Sequence, residues 1–290
     1  MTDTVLVTGA TGDIGSKLVR SLQDSGADFR VMCRRQAQIE QFRSRGVDAV
    51  HGDFDRPATL LDAMQDIGTL FLLTLPGPSQ RAHGRDAVDM AVRAGVQRIV
   101  HLGAQDADLD SPVPWAAAPA ETDELVRASG LRWTLVQPTA FMQNLAQSAA
   151  TIKRGFIPQT TGQGVAGWID TGDIARVAHG VLTGNGHDGA AYVLTGPELL
   201  SIPDIAAIMT DVLRRRVRYL HLPGAVFETA MRLGGASAWQ ARGMREQFAD
   251  ALRHGKYGID ELTTTVGDLT GTPPRPFREY VVENRSVFTP

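Results

Sequence analysis

The chain has 290 residues, of which 43% are hydrophobic and 21% are charged, and its formal net charge is -3. This composition predicts a soluble globular protein with enough apolar residues for one large core or two smaller ones, and it excludes extensive disorder. The only dense cluster of positive charge is 214–218, so we expect no nucleic-acid partner.

Short apolar runs alternate with amphipathic segments through the first half of the chain. The runs predicted as strands are 4–8, 29–33, 47–52, 69–74, 98–103 and 132–138. The segments between them repeat apolar residues at helical spacing, and several end at a glycine just before the next strand. This alternation predicts an α/β fold, a Rossmann-like doubly wound parallel sheet, over residues 1–150.

The pattern changes after Leu145. Further strands are predicted at 167–170 and 190–196, and helices at 173–182, at 202–213 and through the helix-rich stretch 223–254. No repeat or low-complexity linker separates the halves. We therefore expect residues 151–290 to form a smaller, helix-rich cap region on the carboxyl edge of the sheet, where it would wall off a substrate pocket.

Compartment and metal binding follow from a few residue types. The N-terminus lacks a signal-peptide pattern, and no apolar stretch approaches the ~20 residues that cross a bilayer, so we expect a cytoplasmic protein without a membrane partner. The single cysteine, Cys33, lies in an apolar run and is expected to be buried rather than reactive. No metal site is predicted, because the seven histidines are dispersed.

Three glycines follow the first predicted strand in the segment "TGATGDIG": Gly9, Gly12 and Gly15. Glycines there allow a sharp turn, let backbone N–H groups approach a pyrophosphate, and let the next helix pack close to the sheet. Such a turn also occurs in α/β proteins that bind nothing. The strand before it, the helix after it and the βαβ units behind it favour a dinucleotide site.

The second predicted strand ends in "CRR". A domain that selects NAD normally carries an acidic residue there to hold the ribose 2′-hydroxyl, whereas Arg34 and Arg35 supply guanidinium groups. The expected cofactor is therefore NADP(H), the alternative being a charged loop after a buried strand. Asp53, after the third strand, is a candidate acceptor for the adenine amino group or a turn-forming aspartate.

The sequence resembles the NmrA-like branch of the atypical short-chain dehydrogenase/reductases, which includes NADPH-dependent quinone reductases and triphenylmethane reductases. The resemblance runs nearly end to end. The blocks that carry it are "VTGATGDIG", "CRR", "GDF", "AVRAGVQRIVHLGA", "LVRASGLRWTLVQPTAFMQNL", "WIDTGDIARVAHGVLTG", "YVLTGPELLSIPDIA" and "LTGTPPRPFREYVVENRSVF".

The resemblance implies a Rossmann domain that binds NADPH, closed by a small C-terminal domain. It assigns the pyrophosphate to Gly9, Ala10, Thr11, Gly12, Asp13 and Ile14, the 2′-phosphate to Arg34, and the adenine to Asp53 and Phe54. It places Thr74, Leu75 and Pro76 along the middle of the cofactor, and Gly103, Gln137 and Pro138 near the nicotinamide.

No proton donor is evident. Standard members of the superfamily use a Y-x-x-x-K pair, and none of Tyr192, Tyr219, Tyr257 and Tyr280 has a lysine at that spacing. The NmrA-like branch often carries an H-x-x-x-E pair, and here Pro119 stands at the histidine position and Asp123 at the acidic one. An electron-poor acceptor would need no donor, since the anion formed by hydride addition takes its proton from water.

Pocket candidates lie after the later strands. Phe141, Met142 and Asn144 are expected at the mouth of the sheet, although an aromatic residue and a methionine there are also typical of core packing. Trp115 is expected in a proline-flanked loop that acts as a lid. Trp168 either contacts substrate or packs the cap.

Two further polar residues, in or just after the fifth predicted strand, are considered for a catalytic role. His101 has apolar neighbours and is interpreted as a buried strand histidine, with catalysis as the alternative. Gln105, just past that strand, is better placed to orient a carbonyl, and with Asp123 it is the catalytic candidate.

The function predicted from the sequence is an NADPH-dependent oxidoreductase that transfers hydride to a quinone-like or other conjugated carbonyl compound. The alternative is a non-catalytic NADP(H)-sensing regulator that acts through a protein partner. The expected partner is a small aromatic or quinone-like substrate, and homodimerisation is left open.

Overall fold

The computed structural model describes residues 3–255 and 260–290. The strands are β1 (Val5–Val7), β2 (Phe29–Cys33), β3 (Asp48–His51), β4 (Thr69–Leu72), β5 (Arg98–Leu102), β6 (Arg132–Pro138), β7 (Phe156–Gln159), β8 (Val165–Gly167), β9 (Ala190–Leu194), β10 (Leu199–Ser201) and β11 (Arg218–His221). Tyr257, considered in the search for a Y-x-x-x-K pair, lies outside the described residues.

The α-helices are α1 (Asp13–Ser25), α2 (Gln36–Arg43), α3 (Ala58–Ala63), α4 (Gln80–Ala94), α5 (Pro114–Ala128), α6 (Ala149–Lys153), α7 (Thr171–Thr183), α8 (Ile202–Leu213), α9 (Gly224–Leu233), α10 (Ala238–Arg245), α11 (Thr265–Thr270), α12 (Phe277–Glu283) and α13 (Arg285–Phe288). A 3₁₀-helix spans Met142–Ser148, and a π-helix spans Glu246–Leu252. In the described residues no helix is both long and apolar enough to span a membrane.

The central sheet has seven strands in the order β3-β2-β1-β4-β5-β6-β9. β1 pairs in parallel with β2 on one side and with β4 on the other. Six strands were predicted for this sheet, and the structure has seven. The additional strand is β9, which lies in the segment 190–196 that was predicted to belong to the C-terminal half. The doubly wound Rossmann-like fold itself is confirmed.

The helices of this sheet end as their sequences indicate. α4, for example, stops at Gly95, whose φ of 76° is the left-handed conformation that glycine adopts without steric cost. The N–H groups of Gly95 and Val96 donate to the carbonyls of Val92 and Ala91, and these bonds close the last turn of the helix. The chain then enters β5.

The described chain divides into two compact units. The first consists of 1–109, 115–137 and 174–193, and the second of 110–114, 138–173 and 194–290. Buried side chains from the sheet and its helices form a core in the first unit that includes Leu6, Leu70 and Ile99.

The second unit contains two small sheets. β8 pairs antiparallel with β10, and β7 pairs in parallel with β11. The strand predicted at 167–170 is displaced: β8 ends at Gly167, and Ile169 forms only an isolated bridge with Phe141. α8 has the bounds predicted for it, and its Ser201 N-cap forms a capping box with Asp204.

Candidate functional site

The turn after β1 lies where the strand order of the sheet reverses, since β2 is on one side of β1 and β4 on the other. In open α/β sheets ligands bind in the crevice at this point. Gly9 has a φ of 66°, and the N–H of Gly12 donates to the Gly9 carbonyl at 2.9 Å. A Cβ on Gly15 would lie 2.2 Å from the Gly9 oxygen, so α1 approaches the turn more closely than a side chain would allow.

The start of α1 presents an open anion cradle. Thr11, Gly12 and Asp13 are exposed, whereas Ala10 and Ile14 are buried and fix the turn to the core. Gly12 is the N-cap and has no side chain with which to cap the first-turn N–H groups. These N–H groups and the positive end of the helix are what a diphosphate requires, so residues 9–14 fit the group predicted for them.

The carboxyl end of β2 presents two guanidinium groups. Arg34 and Arg35 are exposed, and within residues 3–255 and 260–290 neither forms an ion pair. The N–H of Arg35 donates to Oε1 of Gln38 at 3.2 Å, which fixes the start of α2. Cys33, directly before them, is 3% exposed, and burial raises the pKa of its thiol to about 11, so this thiol is protonated and unreactive at neutral pH.

The residues predicted to meet the adenine follow β3. The Asp53 carboxylate is engaged locally: Oδ1 accepts the Asp55 N–H at 3.1 Å, and Oδ2 lies 3.4 Å from Nε of Arg56. These are the contacts of a turn-forming aspartate. Phe54 stacks on His83 of α4 with ring centroids 5.6 Å apart and an interplanar angle of 28°. The Phe54–His83 pair, which the sequence did not indicate, offers a flat aromatic surface that suits an adenine ring.

The loop after β4 has exposed apolar residues beside a buried threonine. Leu75 is 71% exposed, an unusual environment for a leucine beside a crevice. Pro76 is exposed, whereas Thr74 is buried and its Oγ1 lies 3.4 Å from Nε2 of the buried Gln80. The loop therefore offers exposed apolar surface next to a buried polar contact.

Three polar side chains meet at the carboxyl ends of β5 and β6. His101 of β5 and Asp123 of α5 are 1% and 2% exposed, and Nδ1 of the histidine lies 2.6 Å from Oδ1 of the carboxyl group. Nε2 of Gln137 donates to Oδ2 of Asp123 at 2.9 Å. Gly103 directly follows β5, and Pro138 is the last residue of β6. The histidine is buried, as its apolar neighbours indicate. Its contact with the Asp123 carboxyl group was not predicted from the sequence.

The loop predicted around Trp115 is helical. α5 begins at Pro114, because proline is favoured at the first helical position, and Trp115 is a partly buried residue of its first turn. The prediction that Trp115 lies on a loop was therefore wrong. Pro119 lies within α5, and Gln105 is a partly buried residue of the segment after β5.

The remaining predicted substrate residues belong to the second unit. Met142 and Trp168 are 0% and 2% exposed within its core, and Nε1 of Trp168 donates to the Leu200 carbonyl at 3.0 Å. Their burial favours the packing alternative. Phe141 is partly buried and Asn144 is exposed, so these two retain surface for a ligand.

Three or more metal-ligating side chains are not found together anywhere in 3–255 or 260–290. The site therefore consists of a backbone cradle, two arginines, an aromatic surface and a buried polar group.

Comparison with known proteins gives consistent matches over the full length of the chain. The sequence model of the NmrA-like family matches residues 1–280. The chain is 35% identical to an NAD(P)H azoreductase from Xenophilus azovorans, over 98% of this chain and 99% of the relative. It is 32% identical to a (4-alkanoyl-5-oxo-2,5-dihydrofuran-3-yl)methyl phosphate reductase from Streptomyces griseus, over 99% of each chain.

Among solved structures, the fold is similar to an NADPH-dependent quinone oxidoreductase from Escherichia coli complexed with NADPH. The TM-score is 0.89 at 25% sequence identity, over 97% of this chain and 99% of the other.

Proposed function

The chain belongs to the NmrA-like family and is an NADPH-dependent reductase, and from that premise we propose that it transfers hydride to a quinone-like or other conjugated acceptor. The observation that carries the proposal is the glycine turn of residues 9–15 at the reversal of strand order, beside Arg34 and Arg35. A diphosphate fits the first feature, and the additional phosphate of NADP(H) fits the second.

The proposal assigns binding roles to residues of the first unit. The backbone of residues 9–14 would hold the pyrophosphate, Arg34 and Arg35 the 2′-phosphate, and the Phe54–His83 pair the adenine. Leu75 would cover the cofactor with apolar surface, since its side chain is 71% exposed in the described structure. Bound NADPH supplies the hydride, that is two electrons with one hydrogen.

The proposed substrate class follows from the missing proton-donor motifs in the sequence. The chain has no Y-x-x-x-K pair, and Pro119 occupies the position where the family often has a histidine. An acceptor whose hydride adduct is a stabilised anion needs no positioned acid, because that anion takes its proton from water. Quinones and extended conjugated systems meet this condition, whereas isolated ketones do not. The named acceptors of the relatives, an azo compound and a quinone, are of this kind.

Two accessible side chains of the first unit are proposed to contact the substrate. Trp115 and Gln105 are partly exposed, and Gln105 is proposed to orient a carbonyl group.

Anaerobic NADPH oxidation with a matched acceptor panel tests the function. We expect consumption of NADPH with a benzoquinone and with an azo dye, and none with an unconjugated ketone of similar size. Rapid reduction of the ketone would contradict the proposed acceptor class. Tight NADPH binding without turnover on any acceptor would instead support the NADP(H)-sensing alternative, for which a cofactor-dependent protein partner should then be recovered.

A further inference from the structure

The buried polar group of His101, Asp123 and Gln137 is the feature that the proposed function does not yet use. It draws one residue from each of three elements, β5, α5 and β6, so its contacts link the ends of two neighbouring strands to the helix that connects them. Both oxygens of the Asp123 carboxyl group are occupied, Oδ1 by Nδ1 of His101 and Oδ2 by Nε2 of Gln137. We refer to these three side chains as the relay.

Core stability alone does not account for the relay. A buried carboxyl group and a buried imidazole lose their hydration, and apolar residues of similar volume usually replace such pairs with little or no loss of stability. The surrounding backbone is also adapted to the carboxyl group. A Cβ on Gly103 would lie 3.3 Å from Oδ1 of Asp123, closer than nearly all real Cβ contacts. The glycine thus leaves room for this carboxyl group.

The chemistry of the relay fixes the orientation of the Gln137 side chain. A carboxylate only accepts hydrogen bonds, so the NH₂ group of Gln137 faces Asp123 and the carbonyl Oε1 faces away. His101, which occupies the other carboxylate oxygen, prevents the carboxyl group from turning. Gln137 is partly exposed near the end of β6, so the protein does not fully enclose its side chain, and Oε1 and the second N–H are not used by Asp123.

An acceptor and a donor side by side complement a primary carboxamide, which offers an N–H and a carbonyl in the same spacing. The sheet has its order reversal between β1 and β4, and a dinucleotide across that point places its second nucleotide over the half that contains β4, β5 and β6. We infer that His101, through Asp123, positions Gln137 to pair with the carboxamide of the nicotinamide ring. This inference rests on the proposed function, and His101 is in it a positioning residue.

A cofactor analogue isolates this contact. In the 3-acetylpyridine analogue of NADPH a methyl group replaces the carboxamide NH₂, so the ring loses the donor that Oε1 of Gln137 accepts. The rate of hydride transfer in a single turnover is measured with both coenzymes for the wild type and for His101→Leu, Gln137→Leu and His101→Asn. The intrinsic difference in reactivity between the two coenzymes is common to all four proteins and cancels in the comparison of their ratios.

We expect the effect of each leucine substitution on the rate of hydride transfer to depend on which coenzyme is used. Relative to the wild type, His101→Leu and Gln137→Leu should each slow transfer from NADPH about tenfold more than transfer from the analogue, because the analogue keeps its carbonyl and lacks only the N–H that Oε1 accepts. His101→Asn, whose amide N–H reaches the position of Nδ1, should restore most of the rate. Equal slowing with both coenzymes in the two leucine variants would overturn the inference.

Binding measurements separate failure of the inference from failure of the proposed function. The dissociation constants of NADP⁺ and of its acetylpyridine analogue, measured without acceptor, should differ less in Gln137→Leu than in the wild type. This outcome supports the relay even if no acceptor is reduced, and an unchanged ratio of dissociation constants contradicts it even if the quinone is reduced. Should His101→Leu not fold, Gln137→Leu carries the test, because Gln137 is partly exposed.

Discussion

Two glycines in the turn after β1 provide a direct test of the cradle. In Gly15→Ala the new methyl carbon would lie 2.2 Å from the Gly9 oxygen and 2.9 Å from Cα of Ala10, both backbone atoms that cannot rotate away. In Gly12→Ala the nearest contact is the Gly9 oxygen at 3.3 Å, and the φ of -80° at Gly12 suits an alanine. The two variants add the same methyl group to one turn, but only Gly15→Ala forces it against the backbone.

The distances set the expected magnitudes. Gly15→Ala requires α1 and the turn to separate by roughly 1 Å, and overpacking of this kind costs about 1 to 3 kcal/mol, a fall in Tm of roughly 2 to 5 °C. Gly12→Ala should lower the free energy of unfolding by only about 1 kcal/mol, because alanine is a weaker N-cap than glycine and its Cβ would lie 3.3 Å from the Gly9 oxygen. Its methyl group nevertheless occupies the open face of the cradle, so NADPH binding should weaken by roughly tenfold or more.

Thermal unfolding and fluorescence titration with NADPH measure the two effects separately. We expect Gly15→Ala to lose stability and affinity together, and Gly12→Ala to lose affinity with a smaller loss of stability. Wild-type affinity in a stably folded Gly12→Ala protein would refute the assignment of the pyrophosphate to residues 9–14.

Three further perturbations test other features. Arg34→Ala should weaken NADPH binding by about 1 to 3 kcal/mol and leave NADH binding nearly unchanged, with the exposed Arg45→Ala as control; equal losses for both coenzymes would contradict its role. Burial raises the pKa of the Cys33 thiol from 9.0 to about 11, so the folded state retains its proton more tightly; stability should fall between these pH values by about 1.4 kcal/mol per pH unit in urea melts. Cys33→Ala should lack this component, and an identical pH profile would argue against it. Trp168→Phe removes the hydrogen bond to Leu200 and should lower the free energy of unfolding by about 1 to 3 kcal/mol, whereas an unchanged Tm would show that this contact contributes little.

Elements that depend on local sequence were predictable. The period of apolar residues gave α8 its bounds, and the glycine after α4 marked its end, because both signals lie within a few residues of the element they define. The start of α5 was missed since the prolines that flank Trp115 were interpreted as loop residues, although Pro114 is favoured at a helix start.

Contacts between distant segments were not predictable in the same way. An apolar run identifies β9 as a strand but does not specify its neighbour, and so its place beside β6 was missed. The contact of His101 with Asp123 joins residues 22 positions apart, on different elements. The acidic residue and the glycine at position 103 were each noted in the sequence, yet neither indicated which histidine would meet the carboxyl group.

The path of the chain through the first unit has a consequence for biosynthesis. Because the seventh strand, β9, ends at Leu194, a ribosome must deliver about two-thirds of the polypeptide before the outer side of β6 is covered. Until then β6 is an open sheet edge, with unpaired N–H and carbonyl groups that invite pairing with other chains. A fragment that stops at residue 150 should therefore aggregate, and slow translation before residue 194 should increase the demand of this protein for chaperones.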